Sequence, residues 1–255
     1  MNRTKEKLQK GEVAIGLLTG ITDEQLLEAL GYSGAFDFLT IDIEHSPMST
    51  ETCERLIRVA DVSGMTPLIR PLHNEPRSLL RFLDAGAMGF QAPLVEIPED
   101  VRGLLDGMLY PPQGQRGLAM VRAARYGFGE PVAEYVARAN KDMLLVAQLE
   151  TRKAVENLPA LLDTPGIDVY YVGPVDLSLS YGHPGKPDHA EVVNAIESIR
   201  TQVLAAGRTL GTIARNAEQA RQLVESGYRY LALPLTGLFV QAARRLADEA
   251  RAAAR

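Results

Sequence analysis

The chain has 255 residues, 46% hydrophobic and 23% charged, which is enough for one sizeable core and ordinary for a globular protein. A net charge of −5 removes the electrostatic case for nucleic acid, whose protein partners carry a basic face. The single Cys53 excludes an intramolecular disulfide and a cysteine zinc cluster and suits a reducing cytoplasm, and no run has the length of a signal-peptide core or a membrane span.

Taken in order, the elements alternate. Val13 to Leu18 predicts a first strand, and Thr22-Asp23-Glu24-Gln25 has the capping-box spacing that opens a helix to Leu30. Phe36 to Ile43 predicts a second strand before a helix from Ser49 to Val62, and Thr66 to Arg70 a third. A helix from Pro76 to Ala85 follows, its proline suited to the first turn. Gly89 to Ala92 is the fourth strand, with a helix from Pro98 to Met108. Met143 to Gln148, Val169 to Val172, Thr209 to Ile213 and Tyr228 to Leu233 supply four more strands, each with a helical segment after it. Eight such units predict an α/β fold, a (β/α)8 TIM barrel forming a single domain over residues 1–255. An open doubly wound sheet would need a topological switch point that no segment supplies.

Two segments depart from this rhythm. Tyr110 to Gly129 is long and rich in Pro, Gly and Arg, as lids and contact loops are. Gly237 to Arg255 is an Ala- and Arg-rich helix with an apolar stripe that needs a cover, either the barrel or another subunit.

The chemistry gathers where strands end. In MLLVAQLET, a run of strand formers stops in Gln148, Glu150 and the helix-starting Thr151. The second strand closes in Asp42-Ile43-Glu44-His45, the third in Arg70, and the sixth in Gly173-Pro174-Val175-Asp176. In a barrel those ends converge on one mouth. Buried charges need partners or a metal. Glu150 and Asp176 are hard oxygen donors without cysteine neighbours, so Mg²⁺ or Mn²⁺ is the expected guest. Beside a metal, His45 suits proton transfer, whereas His73, His183 and His189 lie in loops and are weaker candidates for catalysis.

The motifs IDIEHSP (Ile41 to Pro47), PLIRP (Pro67 to Pro71), DAGAMGFQAPLVE (Asp84 to Glu96), YPPQGQRG (Tyr110 to Gly117), AQLET (Ala147 to Thr151) and GPVDLS (Gly173 to Ser178) resemble, in order and over nearly the whole chain, the HpcH/HpaI family of metal-dependent class II pyruvate aldolases. The resemblance implies that Glu150 and Asp176 ligate a divalent ion, Mg²⁺, Mn²⁺ or Co²⁺. It implies that His45 is the base and Asp84 its supporting carboxylate, that Arg70 stabilises the enolate oxygen, and that Asp42 belongs to the catalytic group. Gln148 would be a substrate-side amide, and the turn Gly173, Val175 and Asp176 would hold the pyruvate carboxylate. The implied substrates are pyruvate, or a close 2-oxo acid such as hydroxypyruvate, and an aldehyde. The implied assembly is a homo-hexamer that exchanges the last helix between neighbouring subunits.

Val175 stands where the family commonly has alanine, and Arg116-Gly117-Leu118-Ala119 where it often has a glycine-containing RGxG, so acceptor preference is open at those positions. A Schiff-base route would need a lysine inside a strand, and all six lysines fall in termini, helices or loops. Two further readings stand beside the aldolase: a decarboxylase of oxaloacetate-like acids using the same enolate, and a barrel kept for ligand binding without turnover.

Overall fold

The computed structural model describes residues 1–253. Helix α1 (Arg3–Gln9) precedes the first strand, β1 (Ala14–Thr19). There follow α2 (Glu24–Tyr32), β2 (Phe38–Asp42), α3 (Thr50–Val62), β3 (Thr66–Arg70), α4 (Pro76–Ala85), β4 (Gly89–Ala92) and α5 (Pro98–Met108). After a 3₁₀ segment (Arg122–Gly127) come α6 (Val132–Asp142), β5 (Leu144–Leu149), α7 (Arg152–Glu156), α8 (Leu158–Leu162), β6 (Val169–Val172) and α9 (Pro174–Ser180). The chain continues with α10 (Ala190–Ala205), β7 (Leu210–Ile213), α11 (Ala217–Glu225), β8 (Tyr230–Pro234) and α12 (Leu235–Ala252).

All eight strands pair in parallel and in sequence order, and β8 closes on β1. This is the expected (β/α)8 barrel. Strands covered on both faces read as continuous apolar runs rather than alternating ones, and every residue of β2 and of β5 is buried. Sequence periodicity located β3, β4, β6, α4 and α5 to the residue, because Gly or Pro punctuates each of them closely. The capping box shifts by one position: Asp23, not Thr22, caps α2, its carboxylate accepting from Leu26 N at 2.8 Å.

The barrel interior is filled by rings. Phe38 stacks on Tyr230 with centroids 4.2 Å apart, and Tyr171 meets Tyr230 edge-on at 6.1 Å. Leu68, Leu144, Val146 and Val169 pack around them. Gly16 allows this arrangement: a Cβ there would lie 2.3 Å from the Phe38 ring.

The strand N-termini are closed by α1, which the sequence shows only as a polar lead. Leu8 joins the interior cluster. Asn2 donates to Met88 O and Asp142 O, Thr4 to Asp37 O, and Lys5 to Met143 O, at 2.5 to 3.2 Å. These partners are far away in sequence, so no local pattern announces the plug. At the other terminus, α12 buries only Leu235 among its described residues, while Phe239, Val240 and Leu246 are exposed. The last two residues of the expected 237–255 helix lie outside the described residues.

Candidate active site

The mouth is built from βα turns. After β2, Asp42 Oδ1 accepts from Glu44 N at 3.1 Å and His45 N at 3.3 Å, which folds the turn and sets both side chains at the rim. Arg70, last in β3, clamps the same carboxylate in a two-pronged bond, Nε to Oδ1 at 2.9 Å and Nη2 to Oδ2 at 2.7 Å. Asp42 thus positions the turn and the guanidinium together. Burial works against the Arg70 charge, but the Asp42 bonds and the nearby Glu44 outweigh it and hold the guanidinium above its ordinary pKa.

Glu150 follows β5 and is 4% exposed. Its Oε1 accepts from Leu94 N at 2.8 Å and its Oε2 from Gln148 Nε2 at 2.9 Å. The first bond exists because Leu94 takes a left-handed backbone, φ 52°, a conformation that a non-glycine residue holds only under constraint from its surroundings. The second continues inward: Gln148 Oε1 accepts from Gln91 Nε2 at 2.7 Å, and Gln91 Oε1 accepts from Tyr230 OH at 3.4 Å. A polar thread therefore ties Glu150 to the barrel's ring core. Asp176 sits in the first turn of α9, which starts at Pro174 after Gly173. Glu44, His45, Glu150, Thr151, Asp176, Leu94, Leu179 and Ser180 line a cavity of about 220 Å³. Larger clefts of about 440 Å³ elsewhere, lined by Arg116, Arg122 and Arg125 or by Pro76 and Leu80, have no such set of converging carboxylates.

Too little positive charge reaches this cavity. Burial pushes the Glu150 carboxyl up to about 7, aided by Glu44 and Asp176 and opposed by the Leu94 N–H and Arg70. Glu44 is raised as well, by burial first, with Arg70 and His45 pulling the other way. Its Oε2 lies 3.3 Å from Arg70 Nε and 3.6 Å from His45 Nε2, yet makes no hydrogen bond although buried.

Comparison with known proteins identifies the family. Residues 15–243 match the family model described as HpcH/HpaI aldolase/citrate lyase. The chain belongs to this family. It is 36% identical over 249 residues, 96% of this chain and 92% of the relative, to a 4-hydroxy-2-oxo-heptane-1,7-dioate aldolase of Klebsiella pneumoniae. Among solved structures it is similar to an HpcH/HpaI aldolase/citrate lyase family protein from Burkholderia cenocepacia, with TM-score 0.91 and 31% identity over 98% of this chain and all of that one. It is similar also to an HpcH/HpaI aldolase from Desulfitobacterium hafniense, with TM-score 0.86 and 27% identity over 96% and 95% of the two chains.

The mouth suits the divalent ion that membership of the HpcH/HpaI family implies. A Cβ built on Gly173 would lie 3.0 Å from Glu150 Oε2 and 3.9 Å from Asp176 Oδ2, so both carboxylates border one small space that only a glycine leaves open. Oxygen-only donors, two of them carboxylates, are the set that hard cations take.

The residues singled out from sequence divide into two groups. His45, Arg70, Asp42, Glu150, Gln148, Gly173, Val175 and Asp176 all lie at the strand C-terminal end. His45 is the open member, its side chain 61% exposed, and Gln148 uses both ends of its amide within the protein. Asp84 lies elsewhere. It ends α4, whose C-terminus leads into the opposite face of the barrel, and its partner is Arg116, Nη2 to Oδ1 at 3.3 Å. Leu118 and Ala119 belong to the same face, since the loop from Tyr110 joins the end of α5 to α6 before β5. Within one chain the acid beside His45 is Glu44. Glu44 and Gln91 were readable as candidates, one at a strand end and one a lone amide in a fully buried strand; Leu94 carries no sequence signal, because its role is a backbone N–H.

Proposed function

We propose that this chain is a metal-dependent aldolase, a carbon–carbon lyase that forms the enolate of pyruvate or a close 2-oxo acid and joins it reversibly to an aldehyde, giving a 4-hydroxy-2-oxo acid. The observation that carries the reading is the deficit of positive charge at the mouth: Glu44, Glu150 and Asp176 face one cavity, and the one arginine beside them, Arg70, 3.3 Å from Glu44, gives its two-pronged bond to Asp42. Glu150 and Asp176 would hold Mg²⁺, Mn²⁺ or Co²⁺. Such an ion, when bound, acts as a Lewis acid toward a keto oxygen.

The protein's own groups do the rest. Arg70, with Nε and Nη2 given to Asp42, keeps Nη1 for a substrate oxygen that gains charge on enolisation. His45, exposed at the rim, takes the proton from the methyl carbon. The first N–H groups of α9, at Val175 and Asp176, have no acceptor within the helix and suit a carboxylate. Val175 at this turn sets the space beside the 2-oxo acid. No lysine lies in any strand, so a Schiff base has no nucleophile at the mouth.

Asp84 supports His45 only if another copy brings it there, because the two occupy opposite ends of one barrel. Exposed Leu118, Met120, Tyr126 and Phe128 on Asp84's face, and the uncovered stripe of α12, support a homo-oligomer, which we take to be a hexamer with α12 exchanged. The low cysteine content suits the cytoplasm.

The test is turnover of pyruvate with a panel of aldehydes, before and after exhaustive chelation. Activity that vanishes and returns with Mg²⁺, Mn²⁺ or Co²⁺ supports the reading. Full activity without metal, or a pyruvate adduct trapped by borohydride, defeats it, and release of CO₂ from oxaloacetate without any aldol product would favour the decarboxylase.

A further inference from the structure

We infer that His183, His189 and Glu191 form a second metal site, separate from the mouth carboxylates and selective for a borderline transition ion of the Zn²⁺ class. The three sit where the loop after α9 enters α10. They are the only group of three His, Cys, Asp or Glu among the described residues whose ligand atoms all lie within 4.8 Å of one another. His183 Nε2 is 2.7 Å from Glu191 Oε2, and the two imidazoles stack with centroids 3.4 Å apart and planes 22° from parallel.

The donor set decides the class of ion. Two imidazoles and one carboxylate, with a fourth position left to water, match zinc, nickel and copper better than Mg²⁺ or Ca²⁺, which take oxygen donors. A tetrahedral zinc with bonds of about 2.0–2.1 Å needs its donors about 3.4 Å apart. The present spacing requires a contraction, in which opening the ring stack turns both lone pairs onto one ion. The loop can make it. Gly182 and Gly185 hold left-handed backbones with nothing within 4 Å of a Cβ at either position, so neighbouring atoms do not block movement there.

The charges around the cluster are mixed. Glu191 is held below the usual carboxylate range first by its bond to His183, and Arg152, stacked on the Tyr181 ring at 4.2 Å, acts in the same direction. That arginine opposes a cation, so binding relies on the two nitrogen bonds rather than on an acidic field. His189 also caps α10, its Nδ1 accepting from Glu191 N at 3.4 Å, so ligation through Nε2 takes the tautomer with the proton on Nδ1 and replaces this long cap bond. An ion here would staple the end of the helix that carries Val175 and Asp176 to α10, without belonging to the mouth.

Equilibrium dialysis of the metal-free full chain against Zn²⁺ in excess Mg²⁺ tests this. One retained zinc per chain is expected. It should be lost in His183→Ala and in His189→Asn, the latter keeping a helix cap while removing the imidazole, and kept in a Glu150→Gln/Asp176→Asn variant. Copper loaded in place of zinc should show two nitrogen donors by electron paramagnetic resonance in the wild type and one in either histidine variant. Zinc should also raise the melting temperature of the wild type and not of His189→Asn. No zinc retained by the wild type, zinc retained equally by both histidine variants, or zinc lost with the mouth carboxylates would overturn the site.

Discussion

The two ends of this barrel each gather carboxylates and treat them in opposite ways. At the strand N-terminal end, Asp37, Asp142 and Asp168 precede β2, β5 and β6, and each has a cation: Lys7 at 2.9 Å, Arg138 at 3.4 Å and Lys5 at 3.0 Å. Asp37 and Asp168 also accept backbone N–H groups, from Ile15 and Leu145. At the C-terminal end, Glu44, Glu150 and Asp176 share the neighbourhood of one arginine, and its fork is committed to Asp42. One end is electrically complete within the chain and the other is left open. A closed set of ion pairs orders a fold, whereas an open set binds something.

Removing a carboxylate at the open end should have the largest functional effect. Glu150→Gln is expected to lower turnover by roughly a thousandfold or more, through loss of the charge stabilisation a bound ion provides, while circular dichroism stays that of the wild type. A variant that unfolds instead would place Glu150 among the structural carboxylates and dissolve the contrast.

His45→Ala should follow, with a loss of roughly a hundredfold to ten-thousandfold, the range of a missing general base. Metal affinity should stay. Exchange of pyruvate methyl protons with deuterium, watched by NMR without aldehyde, isolates the step, and exchange at the wild-type rate would remove His45 as the enolisation base.

The faces themselves can then be joined across subunits. If Asp84 of one copy serves His45 of another, mixing and reassembling His45→Ala with Asp84→Ala chains creates sites in which both residues are intact, and part of the activity returns. Mixtures no more active than their components would leave Asp84 to its bond with Arg116 alone.

The smallest effect on activity is expected from the closed end. Asp168→Ala removes the counter-ion of Lys5, which keeps its bond to Met143 O, and the acceptor of the Leu145 N–H. Because the pair is only partly buried, the loss is expected at about 1–3 kcal/mol of stability in a urea titration, with turnover unchanged. A large fall in turnover at full stability would mean that the two ends are not separate in function.

Most of the mouth was legible in the residues because a parallel strand announces itself as an apolar run and its C-terminal residue is where polarity returns. His45, Arg70, Gln148, Glu150 and Asp176 all stand at such breaks. Gln91 stands inside a strand, where periodicity alone reads a filler, and only its bonds to Gln148 and Tyr230 show what it holds. The plug α1 was missed for the same reason: its contacts reach residues 30 to 163 positions away, and a polar heptamer has no local signature of that.

The sequence by itself determined the barrel, since eight alternating units with right-handed crossovers leave little choice of architecture, and it determined which residues meet at the mouth, since strand polarity puts every C-terminal end on one side. Tertiary structure decided how those residues share their charges. That Arg70 gives its fork to Asp42, that Leu94 turns its N–H to Glu150, and that Asp84 faces away from His45 all depend on distances between elements remote in the chain, which a one-dimensional pattern does not carry.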